Sequence, residues 1–134
     1  MKFLALVAFL PVLATADRPF NETGRFEKEM LALAEKRIND ACNCAFYRKI
    51  TKVIDGEVEK FRMLLLTTFR IAMGDTDCMK RSGIDCAKKG RVISSRREYY
   101  KVVIKSYGFK PYDVKFQRIP KSDMPGKSTT VNIS

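Results

Sequence analysis

The side chains able to do chemistry in this 134-residue chain are four cysteines, fifteen carboxylates and a large excess of cations, with no histidine at all. The lack of histidine removes the commonest general base, the Ser-His and Cys-His dyads, and the commonest metal ligand. The carboxylates are scattered among basic residues, and no glycine-rich phosphate loop occurs. The pattern points away from an enzyme and implies no cofactor. The four cysteines are Cys42, Cys44, Cys78 and Cys86. A four-thiolate zinc site is disfavoured by their spacings, Cys-x-Cys and Cys-x7-Cys. As thiols in an exported chain they should be oxidised, in one of three formal pairings. Cys78 and Cys86 flank a short loop and close easily on each other. Cys42 and Cys44, two apart, do not face each other on a helix and would need a strained local ring. Pairing between molecules, or across to the other two cysteines, stays open for them.

Export is read from residues 1–16, where one lysine precedes the apolar run Phe3 to Leu13 and the small residues Ala14-Thr15-Ala16. That is the pattern of a secretory signal peptide, too short in its apolar part to span a bilayer. Residues 17–121 are then expected to form one domain, and residues 122–134, polar and containing Pro125-Gly126, a disordered tail. Asn21-Glu22-Thr23 is a glycosylation sequon, expected to be used at Asn21; a second, at Asn132, sits at the C-terminus and is not expected to be used.

Charge divides the chain. Asp17 to Cys78 holds 11 basic and 11 acidic residues, whereas Met79 to Lys121 holds 13 basic and 3 acidic. A cationic half favours anionic surfaces, such as sulfated glycans or lipid headgroups, through attraction that salt weakens. Lys88, Lys89, Arg91, Arg96, Arg97, Lys101 and Lys105 would form the patch, with Tyr99 and Tyr107 as interfacial aromatics. Nucleic acid is the weaker partner, because no recognition module is visible.

Those residues must be positioned by secondary structure, and the clearest signal is the stretch Glu57 to Met73. Phe61, Met63, Leu65, Phe69, Ile71 and Met73 fall on odd positions with Thr67 the one interruption, while Lys60, Arg62, Thr68 and Arg70 fall on even ones beside Leu64 and Leu66. The alternation predicts one strand with a buried odd face, ended by Gly74-Asp75. Asp55-Gly56, the dipeptide best suited to a two-residue turn, precedes it and follows the β-branched run Ile50, Thr51, Val53, Ile54. A hairpin turning at Asp55-Gly56 is therefore expected, its first strand running from Phe46 to Ile54. Upstream, Phe26, Met30, Leu33, Ala34, Ile38 and Ala41 make one helical stripe, with Thr23 as the expected N-cap. The stripe should cover the sheet's apolar face. Downstream, the segment to Arg97 reads as a loop; Tyr99 to Tyr107, with Tyr100, Val102 and Ile104 on one face, and Tyr112, Val114, Phe116 read as a second hairpin turning at Gly108 to Pro111. The fold class is α+β, one amphipathic helix packed on a curved antiparallel sheet.

Taken together, the helix, the long hairpin, the cysteine-flanked loop and the second hairpin resemble the cystatin superfamily from about Phe26 to Ile119. The most specific pieces are Glu35-Lys36-Arg37-Ile38-Asn39, then Asp75-Thr76-Asp77-Cys78 followed by Cys86, and the run Tyr100 to Phe116. Cathelin domains are similar too, at Ile38-Asn39, at Phe46-Tyr47-Arg48 and in the basic stretch after Cys86. The resemblance implies a Cys78–Cys86 disulfide and a secreted inhibitor of papain-like cysteine proteases. The family presents an N-terminal Gly segment, a first hairpin with Gln-x-Val-x-Gly, and a second hairpin with Pro-Trp. At the expected turn, Lys52-Val53-Ile54-Asp55-Gly56 keeps an aliphatic third residue and the Gly but loses the Gln. Counting back from Cys78 lands instead on Glu59 to Met63, which has no likeness to the signature. Gly24 lies close to the helix, the chain has no Trp, and the family's second disulfide is missing. Pro111-Tyr112 or Gly108-Phe109 would replace Pro-Trp. The protease-contacting residues so implied are Val53, Ile54, Asp55, Gly56, Phe109, Pro111 and Tyr112. The alternative is a non-inhibitory cationic binding or host-defence protein acting through its basic half.

Overall fold

The computed structural model describes residues 18–121; the expected leader and tail, with the Asn132 sequon, lie outside the described residues. The elements are β1 (Arg18–Pro19), α1 (Arg25–Ala41), β2 (Phe46–Phe61), β3 (Leu64–Met79), α2 (Cys86–Lys89), β4 (Glu98–Tyr107) and β5 (Lys110–Ile119). All strands join one antiparallel sheet in chain order, β1-β2-β3-β4-β5. The helix lies across one face. Met30, Ala34 and Ile38 on α1 meet Phe69, Ile71 and Met73 on β3 and Tyr100, Val102 and Ile104 on β4, and together these nine residues make the core. This is the α+β arrangement that the periodicities predict.

Two polar residues on α1 stitch the helix to β2. Asn39 is buried; its amide nitrogen donates to the carbonyls of Glu35 and Arg48 at 2.8 Å, and its oxygen accepts the Arg48 N–H at 2.8 Å. It thus pairs with a strand residue as another strand's backbone would. Glu35 accepts the Ile50 N–H at 2.8 Å and the Tyr47 hydroxyl at 2.6 Å. Burial first, and the Glu35 carboxylate second, push the Tyr47 phenol above its ordinary pKa.

The long alternation turns out to span two strands. β2 ends at Phe61, Arg62-Met63 form the turn, and β3 begins at Leu64. From Thr67 to Met73 the odd residues are buried as expected, whereas Phe61 and Met63 are exposed. After the last register shift of β2 the inward position is even, as buried Val58 shows, so Phe61 and Met63 matched the phase of β3 without belonging to its buried face.

Asp55-Gly56 is not a turn but the middle of β2, where Gly56 pairs with Phe69. The glycine is there for close approach. Phe20 donates its N–H to the Gly56 carbonyl at 3.0 Å and lays its ring 4.9 Å from that of Phe69. A Cβ on Gly56 would lie 2.7 Å from Phe20 Cβ and 2.8 Å from Phe69 Cβ. Register shifts at Phe46/Arg48, Ile50/Lys52 and Val53/Asp55 interrupt the ladder and bend β2 around the helix.

Three smaller expectations are also corrected. β3 does not stop at Gly74-Asp75 but runs on to Met79, paired with β2 at Arg48↔Asp75 and Phe46↔Met79. The segment to Arg97 is not all loop: it contains α2 and a bridge from Val92 to Thr76. The N-cap of α1 is Gly24, while Thr23 donates its hydroxyl to Asn21 Oδ1 at 2.7 Å. Of the cysteines, Cys78 and Cys86 are bonded, as expected. Cys42 and Cys44 are bonded to each other. The helical geometry that kept them apart does not apply, because Cys42 is already extended (φ −82°, ψ 132°) and an extended chain puts residues i and i+2 on one side. Lys80 braces this loop by donating to the carbonyls of Asn39 and Cys42 at 2.8 Å.

Candidate functional site

Both hairpins point their turns to the same end of the sheet. In the first, Arg62 carries the turn with φ 58°, a left-handed conformation that costs a non-glycine residue on the order of 1 kcal/mol. In the second, Gly108 does so with φ 62°. The turns are tied directly, since the Gly108 N–H donates to the Met63 carbonyl at 2.7 Å. Behind them Phe109 makes an edge contact with Phe26 of α1, ring centroids 6.1 Å apart. Phe61, Met63, Leu64, Tyr107 and Phe109 all stay exposed, Phe109 at 80%. The result is an apolar edge, flanked by Lys60 and Arg62, with a shallow cleft of about 350 Å³ between the turns and Phe26.

The N-terminal segment is fixed beside this edge. β1 pairs with β2 at Arg18↔Val58 and Pro19↔Glu57, so Arg18 is its residue nearer the tips. Arg18 forms an ion pair with Glu27, whose side chain is almost fully buried, and Glu27 also accepts the Asn21 N–H at 3.1 Å. Burial alone would push the Glu27 carboxyl up. The Arg18 hydrogen bond, the backbone amides and the Arg18 charge outweigh it and hold the pKa below the ordinary glutamate value.

The structure divides the residues implied by the resemblance. Phe109 is at the second tip, with Pro111 and Tyr112, both exposed, just behind it on β5. Val53, Ile54, Asp55 and Gly56 are not at a tip. They lie at least five residues before Phe61, roughly 17 Å along the strand. Val53 packs against the core, and Asp55 pairs with Arg70 at 3.4 Å. The residues at the first tip are Phe61, Arg62, Met63 and Leu64, which the count back from Cys78 to Glu59–Met63 indicated and the turn signal hid. Asn21 is exposed in the turn before α1.

The basic residues come from several elements. Lys88 and Lys89 end α2, Arg91 follows it, and Arg96 and Arg97 precede β4. Lys101 and Lys105 stand on the outer sheet face, where Lys101 is flanked by Arg70 and Gln117 and Lys105 by Leu66 and Asp113. Among the described residues, no group of three His, Cys, Asp or Glu is placed to hold a metal ion.

A single helix packed on a five-stranded antiparallel sheet is the fold shared with solved structures found by comparison. The fold is that of the cystatins. A protein designated Al-CPI superposes with a TM-score of 0.63 at 17% identity, over 78% of this chain and 99% of its own. Human cystatin F, described as dimeric, gives 0.58 at 9% identity over 90% and 97%. A salivary cystatin of the soft tick Ornithodoros moubata gives 0.60 at 13% over 78% and 97%. No family model matches the sequence. No curated protein matches it either. The likeness to cystatins is thus one of architecture.

Proposed function

We propose that this cystatin-fold chain is a secreted, non-enzymatic inhibitor of papain-like cysteine proteases, and that it enters the substrate cleft with the Phe61–Leu64 and Tyr107–Phe109 tips. The observation that carries the reading is the hydrogen bond from Gly108 to Met63, which joins the two exposed apolar turns into one edge. A wedge of this kind needs no catalytic group. It needs a shape fixed in advance, so that little conformational freedom is lost on binding. The tie between the turns supplies part of that rigidity, and the Arg18–Glu27 pair supplies the rest by holding the N-terminal strand against β2. Phe61, Tyr107 and Phe109 are exposed aromatics at the tips, of the type that serves as interface anchors. Export is supported by the leader pattern of residues 1–16 and by two disulfides.

The test is titration of papain and a lysosomal cathepsin with the pure protein. Reversible, active-site-directed inhibition is expected, with a dissociation constant of roughly micromolar or tighter. Full protease activity at tens of micromolar protein would refute it.

A further inference from the structure

A second cleft opens at the opposite end of the sheet, where β4 begins and β5 ends. Residues 95–99 and 118–121 line it, and its volume is about 810 Å³, within the ~300–1,000 Å³ typical of ligand clefts. Arg96, Arg97, Arg118 and Lys121 contribute four positive charges to its wall, against one carboxylate, Glu98. That carboxylate is already engaged by Arg48 and Arg118. Among the described residues no acidic partner reaches Arg96, Arg97 or Lys121. Arg97 donates to the carbonyls of Ser94 and Arg96, at 2.5 and 2.9 Å. Arg96, Arg97 and Lys121 are therefore gathered at one cleft with no acidic partner among the described residues, a placement that costs repulsion unless an anion joins them.

We propose that this cleft binds a sulfated glycan chain, with Arg96, Arg97, Arg118 and Lys121 as the sulfate ligands. Guanidinium groups offer planar pairs of N–H donors that suit a sulfate's oxygens. Tyr99, Ile119 and Pro120 add the apolar wall against which a sugar ring can lie. The pairing of apolar wall and cations argues for a sugar chain over a lipid surface, because each sulfated ring offers a face to the wall and an anion to the guanidinium groups. The site is distinct from the tips: β4 separates them by ten residues, roughly 30 Å at ~3.3 Å per residue. A glycan held here leaves the opposite edge free.

The experiment uses the protein alone, so its outcome does not depend on protease inhibition. Binding to a heparin-derived sulfated oligosaccharide is measured by calorimetry, beside retention on immobilised heparin against a salt gradient. Two variants are compared, Arg96→Gln/Lys121→Gln in the cleft and Lys101→Gln/Lys105→Gln on the outer sheet face. Each removes two charges, and none of the four residues takes part in an ion pair among the described residues. The cleft variant should bind about tenfold more weakly and elute at lower salt, and the outer-face variant should stay within about twofold of the parent protein. Equal losses in the two variants would overturn the proposal, showing attraction to net charge only. So would binding to phosphatidylserine vesicles or single-stranded nucleic acid without binding to the sulfated oligosaccharide.

Discussion

In the second hairpin the glycine sits in the turn; in the first it sits five residues before the end of the strand that leads into the turn. Gly108 has φ 62° and open space beyond its backbone, the nearest atom to an added Cβ being Met63 Cε at 3.8 Å. Gly56 has ordinary strand geometry and no space at all, caught between Phe20 and Phe69. One glycine is selected for a dihedral angle, the other for the absence of a side chain. The turn of the first hairpin falls to Arg62, which accepts the left-handed conformation at a cost, and strain of this kind tends to collect at functional edges. Glycine therefore marks the tip in one hairpin and the packing of the N-terminal segment in the other.

Substituting the two glycines is the sharpest way to break this contrast. Gly56→Ala should cost about 3 kcal/mol in chemical denaturation, the upper end for overpacking, because neither phenylalanine Cβ can move independently of its strand. If Gly56→Ala proved neutral, Phe20 would not be packed on β2 as described. A smaller effect is expected from Glu27→Gln, which weakens the anchor of the N-terminal strand beside the first hairpin; the loss should be about 1–2 kcal/mol at neutral pH. The pH dependence carries a sign. The folded carboxyl has a lowered pKa, so the unfolded chain binds the proton more tightly and acid favours unfolding. The stabilisation is complete above the ordinary glutamate range and drains away as pH falls through the folded pKa. Glu27→Gln should flatten that acid-side slope, and an unchanged slope would show that Arg18 and Glu27 are not paired in solution. The smallest effect belongs to Gly108→Ala, about 1 kcal/mol, from backbone strain alone.

Much of the fold was legible because core burial follows period. Met30, Ala34 and Ile38 at helical spacing, and Phe69, Ile71 and Met73 at strand spacing, are buried as the sequence predicts. Tyr100, Val102 and Ile104 follow the same rule. The second tip was legible as well, since Gly108 supplies the turn in its usual way. The first tip was not. Arg62-Met63 has no turn chemistry, Phe61 and Met63 continue the phase of the following strand, and Asp55-Gly56 offered a better turn a few residues away. The reason for Gly56 lies in Phe20, more than thirty residues distant, and no local pattern records that contact. The Cys42–Cys44 bond was hidden for a related reason: it depends on the helix having ended at Ala41. The basic cleft draws Arg118 and Lys121 from the end of β5 to Arg96 and Arg97, a convergence that only the sheet topology creates.

The central claim is that the inhibitory edge is the pair of tied tips and not the Val53–Gly56 segment. It is tested most directly by the inhibition constant for papain of two variants measured side by side, Met63→Ala/Phe109→Ala and Asp55→Ser. Loss of the two exposed tip anchors should weaken inhibition about a hundredfold, some 3 kcal/mol, with thermal melting confirming that the fold is kept. Asp55→Ser should leave the constant within about twofold, because among the described residues its only charge partner is Arg70 on the neighbouring strand. The reverse result, a large loss at Asp55 and none at the tips, would contradict the account.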